Sequence, residues 1–162
     1  EILVLKQLYK LRVVIMLFFG TLLNILPLPD IFNSIKPPIL LLILIYWCMA
    51  YPNLINLTTA FITGIIIDIL LIMPLGYNAL SYTITIYLTL LYYPQIRLHT
   101  SWNQMVSILL ILIPFFLTST IINNILEIDY NIGDVILSII ISVTIWPALF
   151  SMLRFIRQKY AS

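Results

Sequence analysis

Polar residues along this chain come in clusters, and the stretches between them are almost uniformly apolar. The pattern predicts six helical segments: Lys10 to Leu28, Pro37 to Tyr51, Leu54 to Met73, Tyr77 to Tyr93, Gln104 to Leu126, and Asp134 to Leu153. The breaks read "PLPD", "KPP", "YPN", "MPLGYN", "YYPQIRLHTSWN" and "EIDYNIGD". They hold Pro, Gly, Asn and almost every charge, as turns and interfaces do. Pro114 and Pro147 fall inside the fifth and sixth segments, where a missing backbone donor is expected to kink a helix. The second segment is short. Thirteen residues separate Pro38 from Pro52, ~20 Å of helix against a hydrocarbon core of ~30 Å. It is expected to tilt beside a locally thin region, to re-enter, or to extend toward Ile31.

Composition decides what surrounds these helices. Of 162 residues, 62% are hydrophobic and 9% charged, and the mean hydropathy is +1.11. Soluble domains carry roughly 25% charge. The expected fold is therefore all-α: an integral membrane bundle of about six transmembrane helices, forming one domain over residues 1–162. The first apolar run ends in "LPLPD" rather than a small-residue cleavage site, so no cleaved leader is expected. Cys48 stands alone and reads as a small buried hydrophobe.

Charge placement orients the bundle. Six alternating spans put Lys6, Lys10, Arg12, Arg97, Arg154, Arg157 and Lys159 on one side, with His99, and leave Lys36 opposite beside Asp30, Glu127, Asp129 and Asp134. The excess of Lys and Arg places both termini in the cytoplasm. Tyr46, Trp47, Tyr51, Tyr77, Tyr92, Tyr93, Trp102, Tyr130 and Trp146 lie near segment ends, where aromatic belts are expected.

Little enzyme chemistry is legible. The sequence has no GxGxxG, P-loop, HExxH or CxxC motif, and with one His and one Cys it cannot build a His/Cys metal cluster. His99 lacks a sequence partner that would make it a general base, and an intramembrane aspartyl protease would need a second in-span carboxylate. Basic residues are too few for nucleic-acid binding. No catalytic residue, cofactor or metal centre is expected.

One in-span carboxylate remains. Asp68 sits in "GIIIDILLIMPLG", with Lys36 and Arg97 its nearest basic residues in sequence. Aspartate at a helix centre costs about 2.5–3.5 kcal/mol on insertion scales, so it is expected to face the bundle interior. At helical spacing Ala60, Gly64 and Asp68 share a face, and small residues four apart admit a close neighbouring helix. Asp68 is expected to bond Lys36 or the Tyr and Asn groups of adjacent helices, or to stay protonated as a donor. The stripe reads as interior packing, as a contact for a partner helix, or as a proton or substrate site.

From Pro27 to Gly76 the features resemble a known family. "PLPD" closes the first span, "KPPILLLILIYWCMAYP" forms the second, and "NLTTAFITGIIIDILLIMPLGYNAL" the third and its exit, with "IWPALFSMLRFIRQKY" near the end. The pattern is similar to the rod shape-determining protein MreD family of the gammaproteobacterial type. The resemblance rests on Lys36, Pro37, Pro38, Trp47 and Pro52, on the Gly64-to-Asp68 spacing, and on Leu75 and Gly76. Lys36 stands where the family usually has Arg, and "NLTTAF" replaces a Gly-rich entry to the third span. The resemblance implies a non-enzymatic inner-membrane component of the rod or elongation complex. It implies partnership with an MreC-like protein, and through it with MreB, RodA and the elongation transpeptidase, in lateral peptidoglycan synthesis. The family's fold is similar to the substrate-binding membrane subunits of vitamin transporters. The alternative is therefore a small-molecule binding subunit, with Asp68 or Asn123 and Asn124 lining an outward-facing cavity.

Overall fold

The computed structural model describes residues 2–27, 29, 35–98 and 100–159, with side chains described from Lys10 onward, apart from that of Ser101. Asp30 and His99, and the side chain of Lys6, lie outside the described residues. Six helices follow in order: α1 (Ile2–Ile25), α2 (Ile39–Ala50), α3 (Leu57–Leu70), α4 (Tyr77–Ile96), α5 (Ser101–Ile125) and α6 (Ile132–Lys159). No strand occurs among the described residues.

The shortest helix holds the centre. In α2, "ILLLILIYWCMA", every residue from Leu40 to Met49 is buried. A helix that is apolar all round belongs in an interior, and α2 packs against α1, α4 and α6. Its twelve residues give ~18 Å. Burial by other helices means that this length need not match a bilayer. Residues 35–38 are not helical, so the extension toward Ile31 does not occur there. Two prolines set this start: Pro38 holds the N-cap position, while the Pro37 and Pro38 carbonyls accept from the Ile39 and Leu42 amides.

Around this centre α3 packs on α4, α4 on α5, and α5 on α6. Several ends differ from expectation for local reasons. Helix α3 begins at Leu57 rather than Leu54 because Asn56 and Thr59 form a reciprocal capping box. It stops at Leu70, where Ile72 adopts φ +55° and the Met73 amide reaches back 2.8 Å to the Asp68 carbonyl. Helix α4 runs through Pro94 to Ile96. A proline in the last turn forfeits one hydrogen bond without ending the helix. Pro114 and Pro147 lie within α5 and α6 as expected.

The outer surface is apolar. Phe18 and Phe19 on α1, Phe61, Ile62 and Ile66 on α3, and Leu110 and Leu117 on α5 are all exposed. Two helical stretches, Trp102–Ile125 and Ile132–Lys159, are long and apolar enough to cross a bilayer, and only 28% and 22% of their apolar windows are buried. A core helix of a soluble protein would be mostly buried, so these faces fit lipid. Of the expected interfacial aromatics, Trp102 and Tyr92 are exposed, whereas Tyr46, Trp47 and Trp146 are core residues. Tyr46 packs edge-to-face on Trp47 and on Phe150, with ring centroids 5.4 Å apart in both pairs.

Candidate functional site

Helices α3 and α4 meet at Gly64. A methyl group on Gly64 would lie 2.6 Å from the Ala79 amide nitrogen and 2.9 Å from the Asn78 carbonyl carbon, both rigid backbone. Only glycine permits this approach. Ala60 and Asp68, one turn to either side, are fully buried.

That close approach brings the Asp68 carboxylate onto the first turn of α4. Its Oδ1 accepts from the Asn78 amide at 2.8 Å and from Asn78 Nδ2 at 2.9 Å. Its Oδ2 accepts from the Gly76 amide at 2.9 Å and, more loosely, from the Ala79 amide at 3.4 Å. A new helix leaves its first amides without intrahelical partners, and its N-terminus favours a negative neighbour. Asp68 supplies both needs across the turn, acting as a cap from eight to eleven positions upstream. The polar group that looked costly in the sequence thus satisfies backbone donors that would otherwise be orphaned in an apolar interior. All four contacts are donated to Asp68, so an acceptor-only side chain fits where an amide does not. Gly76 completes the turn with φ +102°, a conformation that L side chains rarely adopt.

The Lys36 expectation is corrected. Lys36 Nζ donates to the carbonyls of Asn24 at 2.6 Å and Leu26 at 2.9 Å, closing the end of α1, rather than pairing with Asp68. Its own carbonyl accepts from Ser138 Oγ at 3.1 Å, which ties the end of α1, the entry to α2 and the start of α6 together. Burial holds the Lys36 ammonium below the ordinary lysine value of 10.5. Trp47 stacks on Tyr51 at 5.7 Å beside the turn containing Pro52. Leu75 is exposed.

Further polar bonds stitch the bundle, at Ser81 and Thr118, which the sequence did not single out, and between Tyr77 and Asn123, which it named for other roles. Thr118 Oγ1 on α5 lies 2.8 Å from Ser81 Oγ on α4, and Tyr77 donates to Asn123 Oδ1 at 3.1 Å. Asn78 is the notable omission; a polar residue just inside a helix that follows a glycine turn was its only signal. Among the described residues, no group of three or more His, Cys, Asp or Glu side chains is placed to hold a metal ion.

Beyond this junction, the two ends of the bundle differ. A cavity of about 530 Å³ near the start of α4 includes Lys36, Tyr77, Asn123, Asp129, Asp134 and Ser138 in its lining. At the opposite end, Arg97, Arg154 and Arg157 converge on a cavity of about 210 Å³ beside Tyr46.

Comparison with known proteins gives a consistent result. The family model described as rod shape-determining protein MreD matches residues 6–156. A protein of Haemophilus influenzae named "Rod shape-determining protein MreD" is 29% identical over 137 residues, covering 85% of each chain. No solved structure matches the chain. With its central short helix, its Gly64–Asp68 junction and nearly its whole length inside that match, the chain belongs to the rod shape-determining protein MreD family.

Proposed function

We propose that this chain is a non-enzymatic inner-membrane component of the rod complex. It organises lateral peptidoglycan synthesis together with an MreC-like protein, and through that protein with MreB, RodA and the elongation transpeptidase. The family match over residues 6–156 carries this reading. The structure supplies what such a role uses: apolar helix faces open to lipid and partners, over a core fastened by a few polar bonds.

In this reading residues 1–162 form one domain that crosses the bilayer six times, with both termini cytoplasmic. The segregation of Arg97, Arg154 and Arg157 from Lys36, Asp129 and Asp134 supports that orientation. Short α2 lies inside the bundle, shielded from lipid by its neighbours, with Lys36 at its outer end. Ala60, Gly64 and Asp68 hold the α3–α4 pair in register, and through it set the shape of the exposed faces of α3.

The test is co-purification from detergent-solubilised membranes of the host, with equal membrane abundance verified. A tagged chain is expected to bring down an MreC-like protein. Recovery of a transporter ATPase pair instead would overturn the proposal. One observation speaks for that second reading: the 530 Å³ cavity gathers the polar groups that a small-molecule site needs, Asn123 among them. Neither comparison that found a match points to a transporter.

A further inference from the structure

The end of the bundle opposite Lys36 carries an unusual set of groups. Arg97 follows α4, while Arg154 and Arg157 lie one turn apart on α6; all three line the 210 Å³ cavity, and among the described residues no carboxylate shares its lining. Tyr46 also lines it, is 2% exposed, and has a hydroxyl with no hydrogen-bond partner among the described residues. The Arg157 guanidinium stands 5.9 Å from the centroid of the Tyr46 ring, which holds one cation against the face of that ring. Uncompensated positive charge beside an unsatisfied donor is an arrangement that an anion completes.

Position and surroundings indicate which anion. From Asp134 to Arg154 is twenty residues of α6, or ~30 Å, the thickness of a hydrocarbon core. With Asp134 at one boundary, Arg154 and Arg157 reach the level of the headgroups at the other. A second cavity, of about 250 Å³, adjoins through Arg157 and has mostly apolar walls, Ile15, Met16, Trp47 and Ile156, with Arg12 and Tyr51 also in its lining. A charged compartment joined to an apolar groove suits an amphipathic ligand rather than a free ion.

We propose that Arg97, Arg154, Arg157 and the Tyr46 hydroxyl bind the headgroup phosphate of an anionic phospholipid, whose acyl chain lies in the groove beside Ile15, Met16 and Ile156. The site does not depend on the partner assignment above. It differs from diffuse attraction between basic residues and an acidic leaflet, because it has a buried donor and a defined groove.

Native mass spectrometry of the detergent-purified full chain, titrated with phosphatidylglycerol, tests the site. Arg97→Gln with Arg154→Gln is expected to weaken binding by ~10-fold or more, the loss of at least one charge-assisted hydrogen bond. Lys10→Gln with Lys159→Gln removes the same charge from positions that are equally exposed but line neither cavity, and is expected to leave affinity within about twofold. Tyr46→Phe is expected to weaken binding several-fold, while the lipid-free protein melts no lower, since the hydroxyl it removes is unsatisfied. Equal weakening by the two double variants would overturn the site, as would unchanged binding by Tyr46→Phe. Equal affinity for phosphatidylcholine, or displacement of the lipid by inorganic phosphate at comparable concentration, would overturn the choice of ligand.

Discussion

Replacing Gly64 with alanine tests the close approach on which the Asp68 junction depends. The new methyl would sit 2.6 Å from the Ala79 nitrogen, and ordinary contact begins near 3.4 Å. Helix α4 must therefore retreat by at least the difference, 0.8 Å. Asp68 lies one turn along the same face, so its 2.8–2.9 Å bonds to Gly76 and Asn78 lengthen to about 3.6–3.7 Å, beyond hydrogen-bonding range. Overpacking a tight contact costs ~1–3 kcal/mol, and each bond lost at a buried group adds about 1 kcal/mol. The better helix propensity of alanine returns only about 1 kcal/mol. A net loss of ~3–5 kcal/mol follows. Gly20→Ala is the control, because its methyl meets the Ile43 and Leu40 Cδ1 atoms, flexible side-chain ends that can move aside; it should cost less than ~1 kcal/mol. Thermal unfolding of both purified variants in one detergent, followed by tryptophan fluorescence, gives the comparison. If Gly64→Ala melts with wild type, or no lower than Gly20→Ala, the account of the junction is wrong.

Three other perturbations follow from the same geometry. Asp68→Asn should lose ~1–3 kcal/mol, since its amide group must face a backbone donor, and Asp68→Leu about 3–5 kcal/mol, leaving several donors orphaned; an Asn variant as stable as wild type in denaturant titration would contradict the acceptor-only requirement. Ile72→Gly should raise stability by roughly 1 kcal/mol, because Ile72 is 93% exposed and holds φ +55° at the end of α3; a lower melting temperature would count against strain there. For Lys36, a folded-state pKa below 10.5 means that the unfolded chain holds the proton more tightly. Its contribution to stability therefore rises as pH climbs toward 10.5 and the penalty for the buried charge is relieved. Lys36→Met should flatten that rise relative to wild type in melts across alkaline pH, and an unchanged slope would refute the assignment.

Much of the fold was legible because lipid imposes simple rules. Apolar runs bounded by Pro, Gly and charge located all six helices, and the skewed Lys and Arg distribution matched the basic end later seen at Arg97, Arg154 and Arg157. Helix ends were less legible. The Asn56–Thr59 box and the Ile72 turn are side-chain and backbone solutions that hydropathy does not register. Asp68 was legible as an interior group with an Asn of an adjacent helix among its expected partners, as Asn78 proves to be, but its backbone donors were not, because backbone amides leave no trace in residue identity. Tyr46 and Trp47 illustrate the converse problem. Their position near a segment end suggested rings facing outward, yet three helices pack on α2, and both side chains are buried where they line cavities rather than exposed on the surface. Enclosure arises from the packing of other helices and has no local signature.

Depleting this chain in its own host, while labelling new wall with a fluorescent D-amino acid, tests the central claim most directly. The account predicts that cells lose lateral incorporation and round up before growth stops, and that re-expressed wild type restores both while Gly64→Ala does not. Depleted cells that stay rod-shaped, with lateral labelling intact, would contradict it.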